Sequence, residues 1–182
     1  MRLFTGIALP AQVLDSLESL VRGLKPTARI KWSPVGNLHI TTKFIGEWPA
    51  ERLGELQAAL REVPSPGQIP IGIRNLGWYP NERSPRVLWA GIEAPESLAN
   101  LAQETDRRLA TLGIRPEKRQ YSPHLTLARI KGLSDLRELK DAMSHLPSMD
   151  FGEFQADRFS LYLSELKPSG SIYTSLAEYG GE

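Results

Sequence analysis

The apolar positions along the chain change period several times, and each change marks a predicted element. Leu3 to Leu9 is an apolar run that predicts a strand, and Pro10 follows where the first turn of a helix tolerates it. Val13, Leu14, Leu17, Leu20, Val21 and Leu24 then recur at helical spacing and form one stripe. Beyond a stretch punctuated by Ser33, Pro34 and Gly36, Leu38 to Ile45 alternates and is rich in β-branched and aromatic residues, which predicts a strand closed by Gly46 and Pro49. Leu53, Leu56, Leu60 and Val63 predict a second helix. Strand-like runs follow near Ile69 to Ile73 and Val87 to Ile92, with Pro80, Asn81 and Pro85 in the turn between them.

Pro95 introduces a third helix through Leu98, Leu101, Thr105, Leu109 and Leu112, and Gly113 stops it. Ser122 to Ile130 predicts a strand. A fourth helix is expected from Ser134 as N-cap, with Leu136, Leu139, Met143 and Leu146 on one side. Strands near Phe159 to Leu163 and Ile172 to Tyr179 end the series, separated by the turn Lys167-Pro168-Ser169-Gly170. Strand pairs joined by turns, without a clean β-α alternation, point to an α+β fold with antiparallel or mixed sheets and outer helices.

Composition narrows the chemistry. The 182 residues are 41% hydrophobic, enough for a buried core and one large domain or two small lobes. Cysteine is absent, which excludes disulfides, thiolate metal sites and a cysteine nucleophile. The apolar start is too short for a signal peptide, and no stretch approaches the roughly 18 apolar residues that span a bilayer, so a cytoplasmic location is expected. With 22 basic against 21 acidic residues, any contact with nucleic acid must rest on a local patch. No Gly-rich phosphate loop is present.

One short internal repeat stands out: Leu38-His39-Ile40-Thr41 and Pro123-His124-Leu125-Thr126, each a His-apolar-Thr triplet in a predicted strand. With 8 threonines in the chain, two of three histidines sharing this pattern has a random expectation of about half a percent. A single copy would read as a half-buried strand histidine bonded locally; two matched copies read as a site. Strand alternation puts His39 with Thr41, and His124 with Thr126, on one face.

Two imidazoles suit the opening of a cyclic phosphate. The reaction needs a base for the attacking water and an acid for the departing sugar oxygen, and a histidine titrates near neutrality, at about 6.5. Thr41 and Thr126 can hold nonbridging phosphate oxygens. Arg129, five residues after His124, is the candidate cation for the charge building on phosphorus, but a regular strand would aim it away, so a bulge or strand end near Ala128 is required. At the same offset from His39 stands Phe44, a candidate platform for a nucleobase or a core side chain. Lys43, Trp48, Tyr121, Arg115, Lys118, Arg119 and Lys131 could line an RNA approach. His145 reads as structural or exposed.

The paired motifs, in the contexts NLHITTKFIGEW and YSPHLTLARI, resemble the 2H phosphoesterase superfamily, specifically its RNA 2',3'-cyclic phosphodiesterase branch, also called 2'-5' RNA ligase-like. The opening RLFTGIALP and the closing LYLSELKPSGSIYTSLAEY resemble that branch too, so the likeness covers essentially the whole chain. It implies a single domain over residues 1–182 made of two similar lobes, related by a pseudo-twofold axis around a central cleft. It further implies no metal, no cofactor and a 2'-phosphate product, with His39 as general acid and His124 as general base. Arg129 and Phe44 match positions tied to phosphate and base binding. Thr42-Lys43 departs from the apolar or small residues common there. The expected partner is an RNA ending in a 2',3'-cyclic phosphate, with no membrane partner, and the protein is expected to act as a monomer. The competing readings are 2'-5' RNA ligation, the reverse-direction reaction with a 5'-hydroxyl in place of water, a noncatalytic RNA-end binding module, and a metallohydrolase.

Overall fold

The structure is a computed structural model in which residues 1–181 are described. Nine strands and four α-helices are found among them: β1 Arg2–Ala8, α1 Ala11–Leu24, β2 Lys31–Trp32, β3 His39–Glu47, α2 Leu53–Arg61, β4 Ile69–Tyr79, β5 Val87–Glu93, α3 Glu96–Ala110, β6 His124–Arg129, α4 Arg137–Ser144, β7 Asp150–Ala156, β8 Arg158–Lys167 and β9 Gly170–Gly180. They form two sheets, sheet A in the order β3-β1-β8-β9 and sheet B in the order β2-β6-β5-β4-β7. The fold is α+β as expected. Every strand pair is antiparallel, so the expectation narrows from antiparallel or mixed to antiparallel alone.

The two sheets are built alike. Each motif strand, β3 or β6, pairs with one strand, then a second and a third, and sheet B adds only the two-residue β2 outside β6. The helices cross over. α1 follows a strand of sheet A yet packs against β7 of sheet B, while α3 follows a strand of sheet B yet packs against β3 of sheet A. This exchange gives each sheet one face buried under helices and one open face. Leu3, Thr5, Ile7 and Ile40 lie on the buried side of sheet A, and Ile71, Ile73, Leu88 and Leu125 on that of sheet B.

Sheet A curls into a half-barrel. The Asn37 side chain, just before β3, donates to the Ser171 carbonyl of β9 at 2.8 Å, which ties the segment ahead of β3 to the far edge strand. No helix among the described residues is long and apolar enough to cross a membrane.

Several expected boundaries shift. α4 starts at Arg137 rather than near Ser134, and the Asp135 carboxylate just ahead of it accepts from the Arg137 amide at 3.1 Å. β4 continues past Ile73 to Tyr79 through a register shift at Asn75, whose φ is 67°. Strands β2 and β7 were not expected. Two residues show no period, and in β7 Gly152 with φ 122° breaks the alternation of Asp150 to Ala156.

Lys43 and Trp48, expected near RNA, belong to the interior instead. Lys43 is 2% exposed; its ammonium donates to Asp106 of α3 at 2.6 Å and to the Arg115 carbonyl at 2.8 Å. Trp48 is buried and donates to the Arg52 carbonyl. A long cationic chain can be buried when its charge is paired, and the Lys43 contact fastens α3 and the segment after it to the edge strand of sheet A. Lys43→Met removes the cation and leaves Asp106 with only the Glu117 amide as donor, so we expect a loss of about 3 kcal/mol in urea unfolding. An unchanged midpoint would show that the pair carries no such weight.

Candidate active site

Both motif strands carry register shifts against their partners, one in β6 and two in β3, and these decide which side chains share a face. In sheet B, Gly91 opposes His124, Trp89 opposes Thr126 and Val87 opposes Arg129, with Leu127 left over. Residues directly opposite each other share a face, and 87, 89 and 91 alternate regularly on β5. His124, Thr126 and Arg129 therefore share the open face, while Leu125, Leu127 and Ala128 are all buried. The odd five-residue offset of Arg129 is resolved by this bulge, one position before the expected one.

Sheet A repeats the device. Ala8 opposes His39, Gly6 opposes Thr41 and Phe4 opposes Phe44, with Thr42 left over. Thr42 and Lys43 are both buried, and the Thr42 hydroxyl is satisfied by Thr5 at 2.7 Å. Phe44 is 66% exposed on the face of His39, so it is a surface ring and not core. Gly6 must be a glycine at this spot, because a β-carbon there would lie 2.8 Å from the Ile40 carbonyl oxygen and 3.3 Å from the His39 ring.

The two imidazoles are held in the same way. His39 Nδ1 lies 2.8 Å from the Asn37 carbonyl and His124 Nδ1 lies 3.3 Å from the Ser122 carbonyl, each two residues back. A carbonyl can only accept, so Nδ1 carries the proton in both rings and Nε2 is the working nitrogen. His39 Nε2 sits 2.9 Å from the Thr41 hydroxyl, which donates to it when the ring is neutral.

Their surroundings differ. His39 is half-buried among rings that the sequence reading did not single out: it stacks on Phe4 at 4.5 Å, meets the edge of Tyr173 at 5.2 Å and lies 5.9 Å from Tyr162. Burial there lowers its pKa below the ordinary histidine value, and the Asn37 carbonyl opposes part of that shift. His124 is exposed at the head of β6. Tyr162 and Tyr173 lie inside the closing segment that carried the family likeness; only the curl of sheet A shows that they reach His39.

Tyr121 ties the two motifs together. Its hydroxyl, three residues before His124, donates to the Thr41 carbonyl at 2.7 Å, and β3 and β6 lie against one another. Burial raises the Tyr121 pKa, so the phenol stays protonated and the bond stays made. Tyr121 is thus an internal brace rather than an RNA contact. Arg115, Lys118 and Arg119 are exposed on the preceding segment, and Lys131 is exposed just after β6. His145 ends α4, exposed, with Nδ1 at 2.8 Å from the Asp141 carbonyl. Among the described residues no group of three or more His, Asp or Glu is placed to hold a metal ion.

This arrangement has relatives. The family model of LigT-like phosphoesterases matches residues 7–89 and 92–173, and each segment contains one His-x-Thr motif. An RNA 2',3'-cyclic phosphodiesterase of Methanocaldococcus jannaschii is 36% identical over 179 residues, covering 98% of this chain and all of that protein. One of the same name from Methanothermobacter thermautotrophicus is 34% identical, covering 97% and 96%. The crystal structure of a Thermus thermophilus protein superposes with a TM-score of 0.81 at 31% identity, covering 99% of this chain and 97% of that one. That of E. coli LigT complexed with NADP+ superposes with a TM-score of 0.74 at 25% identity, covering 98% and 96%. The chain belongs to the LigT-like phosphoesterase family of the 2H superfamily.

Proposed function

We propose that the protein hydrolyses RNA 2',3'-cyclic phosphate ends to 2'-phosphates by two-histidine acid/base catalysis without a metal. One observation carries the reading: two imidazoles, each fixed at Nδ1 by its own backbone, stand with a threonine on the open faces of adjoining strands. Family membership and the shared name of the full-length relatives support the substrate.

In this reading His124 takes a proton from the attacking water. As the water oxygen bonds to phosphorus, the bond to the 3' oxygen breaks and His39 delivers its proton there, leaving a 3'-hydroxyl and a 2'-phosphate. Thr41 and Thr126 hold nonbridging oxygens, Arg129 answers the charge on phosphorus, and Phe44 stacks the terminal base. Burial makes the His39 imidazolium a stronger donor while reducing how much of it is present; the entering anionic phosphate favours the charged ring and offsets that loss. Residues 1–182 act as one domain whose two sheets are the lobes, and the protein works on RNA ends as a cytoplasmic monomer. Ligation would use the same displacement with a 5'-hydroxyl as nucleophile, and bulk water favours hydrolysis.

The deciding experiment is product analysis with a short RNA ending in a 2',3'-cyclic phosphate, in excess chelator. A 2'-monophosphate is expected; a 3'-monophosphate overturns the assignment of the leaving oxygen, and loss of activity with chelator overturns the metal-free mechanism. His39→Ala and His124→Ala should each lower turnover of a nucleoside 2',3'-cyclic phosphate by about two orders of magnitude or more, in steady-state assays. Activity close to wild type in either variant removes that histidine from the chemistry.

The pH profile tests the division of labour. A general acid must be protonated in the free enzyme, so kcat/KM is lost as pH rises through the His39 pKa, below about 6.5. Were His39 the base, the same lowered value would set the acidic limb, and activity would be lost as pH falls through it.

A further inference from the structure

The open face of sheet B carries more than the three residues assigned above. Three cross-strand rows follow one another along β5. At Gly91 the row holds His124 and, on β4, Arg74; at Trp89 it holds Thr126 and Gly77; at Val87 it holds Arg129, Tyr79 and, on β2, Lys31.

The last row places Lys31 directly opposite Arg129, both exposed. Like charges in that position repel. Neither has a carboxylate at ion-pair distance among the described residues, in contrast to Arg74 on the same sheet, which is surrounded by Glu93, Asp150 and Glu153. A repulsive pair left unanswered on an open face is suited to an external anion.

The middle row offers a stacking surface. Trp89 is half-buried, and its indole lies flat on the sheet over Gly77, where a β-carbon would come within 2.0 Å of the ring. Among the described residues it stacks on no other aromatic ring, and its Nε1 has no hydrogen-bond partner. A residue with a side chain at position 77 would lift the indole from the sheet.

Charge sets the direction. Beyond His124 the face turns acidic: a groove of about 430 Å³ is lined by Arg74, Glu93 and Glu153. A second groove of about 370 Å³, between sheet A and β7, is lined by Asp157, Arg158 and Glu178. The guanidiniums in both are already paired with carboxylates. A polyanion with its end at His124 is repelled from that side and drawn to the other, roughly 13 Å along the strand at the Val87 row.

We propose that the RNA strand 5' of the cyclic end crosses the open face of sheet B, with Trp89 stacking a base and Lys31 holding the phosphodiester that precedes the scissile phosphate. This rests on the phosphodiesterase reading and extends it to substrate choice. The enzyme then prefers an oligonucleotide end to a mononucleotide, because only the former carries a further phosphodiester for Lys31.

The experiment compares kcat/KM for a trinucleotide ending in a 2',3'-cyclic phosphate with that for a mononucleoside 2',3'-cyclic phosphate. Wild type should prefer the trinucleotide. In Lys31→Gln the preference should shrink about fivefold, and the dependence of log(kcat/KM) on log salt for the trinucleotide should flatten by about 0.7. Lys31→Arg should restore both. Trp89→Leu should shrink the preference about tenfold, with urea unfolding to confirm the fold. No preference in wild type, or a Lys31→Gln enzyme with preference and salt slope unchanged, overturns the proposal. If wild type turns over neither substrate, the phosphodiesterase reading fails on its own, and direct titration with the same trinucleotide still decides: Lys31→Gln and Trp89→Leu must weaken binding, or the track does not exist.

Discussion

An extra residue between the threonine and the third group of each motif strand, Thr42 in β3 and Leu127 in β6, is the constraint on which the site depends. Without the bulge at Leu127, alternation would send Arg129 into the core with Leu125, and without the one at Thr42, Phe44 would turn toward α3. Each bulge buries two consecutive side chains, Thr42 with Lys43 and Leu127 with Ala128, and so returns the next residue to the open face. The histidine, the threonine and a third group thereby come onto one surface from a short stretch of strand.

The matching bulges express a wider symmetry that is not complete. The sheets share strand order, the helices exchange partners, and both histidines are pinned by the carbonyl two residues back. The environments then diverge, with His39 set among Phe4, Tyr162 and Tyr173 inside a curled sheet and His124 open to solvent. Equal geometry with unequal solvation is a physical route to tuning one of two like groups: burial lowers the proton affinity of His39.

One continuous hydrophobic core joins the two sheets, and a few polar contacts add to it where the motif strands meet. Tyr121 reaches the Thr41 carbonyl, and Lys43 reaches Asp106 and the Arg115 carbonyl, so the segment leading into β6 is bonded to β3 on both sides of its bulge. These are buried or half-buried groups whose partners cannot readily be replaced by water, which is why residues suited in principle to RNA serve the interior.

Local periodicity was enough to establish the α+β class, all four helices, the two motif strands and the pairing of His39 with Thr41 and His124 with Thr126, because each of these depends on residues close together in the chain. The family likeness was legible for the same reason, since its motifs are contiguous. That Arg129 and Phe44 share their histidines' faces emerged only from the folded chain, because a bulge is a property of paired strands and not of one. The inward turn of Lys43, Trp48 and Tyr121 is also a tertiary outcome, since a polar side chain is buried only where the fold brings it a partner. β7 and the aromatic nest of His39 were illegible in the chain: Gly152 interrupts the local pattern, and Tyr162 and Tyr173 meet the histidine only where the curl of sheet A closes.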